Sequence, residues 1–114
     1  MSNCLFCKII DGDIPSTKVY EDEYVYAFDD INPVAPVHTL VIPKKHIESI
    51  ADISSDDSEY IVRCMLGIKE VARIKGVEDS GYRVISNCGE NAGQTVFHLH
   101  FHVIGGRQLG EKLI

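Results

Sequence analysis

A chain of 114 residues has the length of one domain, and it can bury a core without disulfide staples. Hydrophobic residues make up 45% and charged residues 25%, which excludes a disordered segment, a collagen-like chain and a disulfide miniprotein. The net charge of -6, with no basic run, argues against a long nucleic-acid partner but leaves room for one small anion held by local donors. No apolar run approaches the roughly 20 residues that span a bilayer, so no membrane partner is expected. The opening MSNCLFCKIIDGD has neither the basic nor the apolar region of a secretory signal. The reading is a cytoplasmic protein whose four cysteines are thiols or metal ligands.

No repeat or linker divides the chain, and residues 1–114 read as one domain. CLFCKIIDGDIP predicts a short helix stopped by Gly12 and Pro15. Strands follow at Lys18–Glu21 and Tyr24–Phe28, rich in Val and Tyr and separated by an acidic turn. Two prolines and Asn32 make Asp30–Pro36 a loop, and His38–Ile42 is a strand that stops at Pro43. A long helix starts at a Ser54 or Ser55 cap and ends at Gly76. Its buried stripe is Ile61, Cys64, Met65, Ile68, Val71 and Ala72. A strand over Tyr82–Asn87, a polar turn over Cys88–Gln94 and a last strand over Val96–Ile104 complete the chain. Five strands with hairpin-like connections, one long helix and one short helix give an α+β domain with an antiparallel sheet.

His98-Leu99-His100-Phe101-His102-Val103 alternates imidazole with apolar side chains. On a strand the three imidazoles share one face, about 6.5–7 Å apart, while Leu99, Phe101 and Val103 enter the core. A solvated histidine row is the plainer reading for one such residue but not for three in register. Two chemistries remain open: a metal site, or a nucleophilic middle imidazole whose neighbours touch substrate and fix its tautomer. The preceding segment, Asn87 to Thr95, carries two glycines and several amides, and its backbone N–H groups can approach an anion closely.

HLHFHVI resembles the His-x-His-x-His signature of the histidine-triad superfamily. FDDINPVAPVHTLVIPKKHI and GENAGQTVFHLHFHVI are similar to its other blocks, and GGRQ to its Hint branch. The resemblance implies a homodimer with a joined ten-stranded sheet. It implies hydrolysis of purine nucleoside 5′-phosphoramidates and acyl- or aminoacyl-adenylates to the nucleoside monophosphate. His100 would be the nucleophile on phosphorus, flanked by His98 and His102 and supported by His38. Asp30 would hold the ribose hydroxyls, with Ile31 beside the base. Asn87, Gly93, Gln94 and Thr95 would contact substrate, Thr95 replacing a Ser common in relatives. No cofactor is required for catalysis. The short C-terminal tail, Gly105–Ile114, lacks an aromatic found in some relatives, which bears on leaving-group selectivity.

Cys4-x-x-Cys7 is half of a zinc site, a pattern that arises readily by chance. Triad proteins with this pair resemble a zinc-binding subset. On that match Cys4, Cys7, His46 and His98 would close a structural tetrahedral site. Cys64 reads as core, Lys44 and Lys45 as solvated, and Cys88 has no assigned role. Two other functions share these residues: a zinc-containing nucleotide-binding regulatory module with little turnover, and a dinucleoside polyphosphate hydrolase.

Overall fold

The structure is a computed structural model describing residues 3–114, so the first two positions of the 1–114 reading lie outside it. Cys4 caps helix α1 (Leu5–Ile10), its Sγ accepting the Cys7 N–H at 3.3 Å, and Gly12 at φ +84° turns the chain away. The hairpin of β1 (Lys18–Glu21) and β2 (Val25–Asp29) closes around Asp22, whose Oδ1 accepts the N–H groups of Tyr24 and Val25. Strand β3 (Val37–Pro43) is buried along its whole length.

Ser54 and Asp57 form a capping box around a 3-10 turn that runs into helix α2 (Ser58–Ile74). At the far end Gly76, at φ +75°, completes a Schellman motif. Its N–H bonds to Arg73 O, and that of Val77 to Ala72 O. The buried stripe is Cys64, Gly67, Ile68, Val71 and Ala72, with Ile61 half-buried. Met65 departs from expectation. It falls at the edge of the stripe and is 41% exposed, while Gly67 takes the central position and a Cβ there would meet Val25 Cγ1 at 3.2 Å. Burial pushes the Cys64 thiol up to about 12, an inert core group. Among the described residues, no helix is long and apolar enough to cross a membrane.

With β4 (Tyr82–Ile85) and β5 (Phe101–Gly105) the strands form one antiparallel sheet in the order β1-β2-β3-β5-β4. Helix α2 packs on one face over Val25, Ala27, Val41, Leu99, Phe101 and Val103. Helix α1 packs on the other over Tyr26, Phe28, Leu40 and Ile42. Both faces of the central strands are therefore covered.

The last strand is shorter than expected, because its ladder with β3 begins only at Val41↔Phe101. Beyond that pair the chain meets Pro43, which has no N–H to give. Residues 96–100 run beside the segment after β3, and Leu99 N–H bonds instead to Ile47 O at 2.6 Å. The fourth strand likewise stops at Ile85 rather than Asn87. At the end of β5 Gly106 sits at φ +88°, and a Cβ there would meet Pro36 Cβ at 3.0 Å.

Candidate active site

His38 on β3 and His102 on β5 are diagonal neighbours across the ladder, since Leu40 is the partner of His102 and Ile104 the partner of His38. Their rings meet with His38 Nε2 2.9 Å from His102 Nδ1, and the Val34 N–H donates to His38 Nδ1 at 3.1 Å. His100 and His98 precede the ladder but keep its alternation. The His100 ring lies 5.2 Å from that of His102, centroid to centroid, closer than flat strand spacing.

His100 Nδ1 donates to the carbonyl of His98 at 2.7 Å. A carbonyl can only accept, so the proton is held on Nδ1 and Nε2 keeps its lone pair. Ser86 Oγ donates to the His100 carbonyl at 2.8 Å, and the Phe6 ring stands edge-on to the imidazole at 5.1 Å. Neither Ser86 nor Phe6 carries a motif signal in the sequence. Burial lowers the His100 pKa. It pushes His102 down to about 4, helped by His100 and His38.

A cleft of about 460 Å³ opens over His100 and His102, within the size range of small-molecule sites. Phe6, Ile9, Phe28, Leu40 and Val96 give it an apolar wall; Asp30, Asn32 and Thr95 give polar points. Asp30 Oδ1 accepts the Asn32 N–H at 2.8 Å, which fixes the carboxylate, and Oδ2 lies 3.5 Å from His38 Nε2. Ile31 stands at the mouth and is 91% exposed.

The glycine loop divides differently from the sequence reading. Thr95 lines the cleft, whereas Asn87, Gly93 and Gln94 do not. Asn87 Nδ2 donates to Ala92 O, and Gly93 takes the left-handed turn at φ +85°. Gln94 is buried and its amide is fully engaged: Oε1 accepts the Gly89 N–H, and Nε2 donates to Glu48 O and Val96 O. Gln94 therefore holds the loop shut. Lys44 and Lys45 are not simply solvated either; they pair with Glu21 and Asp57.

His98 is also absent from the cleft lining. Its Nε2 donates to Pro43 O at 2.8 Å, which turns a bare Nδ1 toward a cluster with Cys4, Cys7 and His46. Four of the cluster's six donor–donor edges are 3.4 Å (Cys4 Sγ to His98 Nδ1), 3.4 Å (Cys7 Sγ to His46 Nδ1), 3.6 Å (Cys7 Sγ to His98 Nδ1) and 3.3 Å (His46 Nδ1 to His98 Nδ1), and the other two are within 4.8 Å. A zinc tetrahedron with bonds of about 2.3 Å to sulfur and 2.0–2.1 Å to nitrogen has edges of about 3.5 Å and 3.3 Å. The four donors fit that ion. Burial and the Cys4 neighbour push Cys7 up to about 11, the environment of a thiol that ionises only against a cation.

Neutral buried imidazoles make stability pH-dependent. His102 titrates near 6.5 when unfolded and at about 4 when folded, so between these values the unfolded chain binds more protons. Stability is full above about pH 6.5 and is lost as pH falls toward 4, with a slope of up to about 1.4 kcal/mol per pH unit per proton. Urea melts at pH 7.5 and 5 are expected to show this loss, and His102→Asn to show less of it. An equal loss in both proteins would contradict the assignment.

The HIT domain family matches residues 11–109 of the chain. The purine nucleoside phosphoramidase of Escherichia coli (strain K12) is 41% identical over 109 residues, covering 96% of this chain and 92% of that protein. Protein HitA of Neisseria gonorrhoeae is 44% identical over 105 residues, covering 92% and 97%. Among solved structures, a HIT family hydrolase from Clostridium thermocellum is 48% identical with a TM-score of 0.97, covering 100% of this chain and 99% of that one. A histidine triad protein from Clostridium difficile is also 48% identical, with a TM-score of 0.93 and coverage of 98% and 97%. Agreement in sequence and fold along nearly the whole length means that the chain belongs to the HIT domain family.

Proposed function

We propose that the protein hydrolyses purine nucleoside 5′-phosphoramidates and acyl- or aminoacyl-adenylates through a nucleotidyl-histidine. The observation that carries this reading is the tautomer of His100: Nδ1–H is tied to the His98 carbonyl and the lone pair of Nε2 faces the cleft. The names of the relatives support the coarser statement, a hydrolase. Nε2 attacks the α-phosphorus, the P–N bond breaks, and the amine leaves with a proton taken from solvent. Water then attacks the same phosphorus and gives up a proton to solvent, the P–Nε2 bond breaks, and nucleoside monophosphate departs with His100 restored. Asp30 accepts the hydrogens of the ribose diol, Ile31 and the apolar wall take the purine, and Thr95 meets the phosphoryl group. Asn87, Gly93 and Gln94 order the loop that carries Thr95.

His98 contributes through its carbonyl, which orients His100, and through its Nδ1 in the cluster. Cys4, Cys7, His46 and His98 would hold a structural zinc ion, which supplies a closed four-ligand cross-link and no step of the reaction. A cytoplasmic homodimer joined along the sheet belongs to the same reading; β4 is an edge strand on which such pairing could occur.

The test is single turnover of an adenosine 5′-phosphoramidate with acid quench and mass spectrometry. The expected product is a protein adduct of one nucleotidyl group on His100, formed equally with and without millimolar chelator. Nucleotide binding with no adduct and no turnover would favour a regulatory module. Faster turnover of dinucleoside polyphosphates would favour the third reading.

A further inference from the structure

We propose that the main-chain N–H of Val34 sets the tautomers of His38 and His102, and so makes His102 a neutral hydrogen-bond donor beside the nucleophile. The tautomer assignment rests on geometry alone. Its use toward a phosphoryl group rests on the proposed function.

A backbone N–H can only donate. The Val34 N–H lies 3.1 Å from His38 Nδ1, so that nitrogen accepts and the single proton of neutral His38 sits on Nε2. His38 Nε2 lies 2.9 Å from His102 Nδ1, which accepts in turn. The proton of His102 is thereby placed on Nε2, on a ring that lines the cleft; no buried side-chain nitrogen among the described residues lacks a partner, so an Nε2 not bonded to the protein is open to the cleft. Asp30 Oδ2, 3.5 Å from His38 Nε2, is a second acceptor for the same proton and leaves the direction of donation unchanged. The chain of donation also excludes a metal ion from Asp30, His38 and His102, although their ligand atoms cluster within 4.8 Å of one another. The His38 nitrogen facing the other two already carries hydrogen.

The comparison with His100 shows what this arrangement achieves. Behind His100 stands a carbonyl, and its outer nitrogen is bare. Behind the His38–His102 pair stands an amide N–H, and the outer nitrogen carries a proton. Two imidazoles 5.2 Å apart thus offer the cleft a lone pair and an N–H, as nucleophilic attack on an anionic phosphoryl group requires. Adding a proton to His102 would set two N–H groups against each other at the 2.9 Å contact with His38, and burial has already moved its pKa down to about 4. The Val34 side chain is 62% exposed, so the assignment concerns its N–H alone. Val34 is a positioning residue.

Two-bond proton–nitrogen spectra of the full chain, labelled with 15N-histidine, separate protonated from bare ring nitrogens. At pH 7.5 the expected pattern is Nε2–H for His38 and His102 and Nδ1–H for His100. A proton on His102 Nδ1, or a cationic His102, would overturn the proposal, and this measurement needs no substrate and no variant. Val34→Ala keeps the N–H and is expected to retain the pattern. Val34→Pro removes it and is expected to shift His38 and His102 toward the other tautomer. In that variant kcat on the phosphoramidate falls about tenfold or more, with KM within about twofold, approaching the cost of deleting a transition-state donor. A Val34→Pro protein that folds and keeps the wild-type spectrum would also refute the proposal. If the wild type shows the expected spectrum but no turnover, the functional reading fails and the tautomer assignment stands.

Discussion

His100→Ala is expected to lower kcat on an adenosine 5′-phosphoramidate by at least about 10³-fold, because the variant has no group to form the covalent intermediate. Binding of the nucleoside monophosphate should change little, since Asp30 and the apolar wall remain. Truncating an imidazole that is only 8% exposed leaves a small void beside Phe6. His100→Asn, which fills part of that void, therefore serves as the control for folding. Both variants should melt cooperatively, bind nucleotide within about threefold of wild type, and yield no nucleotidyl adduct. Turnover within tenfold of wild type in either variant would remove His100 from the nucleophile's place. Retention of binding with loss of turnover is the informative outcome, because it separates positioning of the nucleotide from attack upon it.

Loss of the cluster is expected to have the second-largest effect, on stability rather than chemistry. Cys4 and His98 are 94 positions apart, and His46 comes from the segment after β3. One ion would cross-link α1, that segment and the triad segment. If free zinc stands a thousandfold above its dissociation constant, the folded state gains about 4 kcal/mol. In a domain of this size that corresponds to roughly 15 °C in Tm. The wild type is expected to contain one zinc per chain by elemental analysis. Cys7→Ala, or stripping with a strong chelator, should lower Tm by about that amount, and zinc should restore only the stripped wild type. A metal-free wild type with an unchanged Tm would refute the site. The same experiment reads the cleft, because Phe6 and Ile9 lie on the helix that the cross-link anchors.

The alternation of His98 to Val103 displays the triad and its core-facing partners without any structure, because period two survives even where the ladder does not. The capping residues and Gly76 likewise announce helix α2, since each performs a local task. The alternation by itself does not separate the work of three identical side chains; only the family resemblance assigns them different tasks. His98 turns to the thiols and His100 to the cleft because of Pro43 O, the His98 carbonyl and the register at which β3 stops. Nothing in the glycine loop's sequence shows that the Gln94 amide ties it to the segment after β3; the positions of Glu48 O and Val96 O do. Met65 matched the helical period, and the approach of α2 to Val25 at Gly67 decided otherwise. The Val34 N–H has no signature at all, because every residue except proline has one.

Gly106 lies outside the cleft lining, yet Pro36 abuts it where any Cβ would have to stand, on the loop that also carries Asp30 and Val34. A side chain there would push that loop outward. The Asp30 carboxylate and the amide behind His38 would then move together. A lesion at the end of β5 would therefore be felt as weaker nucleotide affinity combined with a wrongly protonated imidazole, although nothing in the cleft had been replaced.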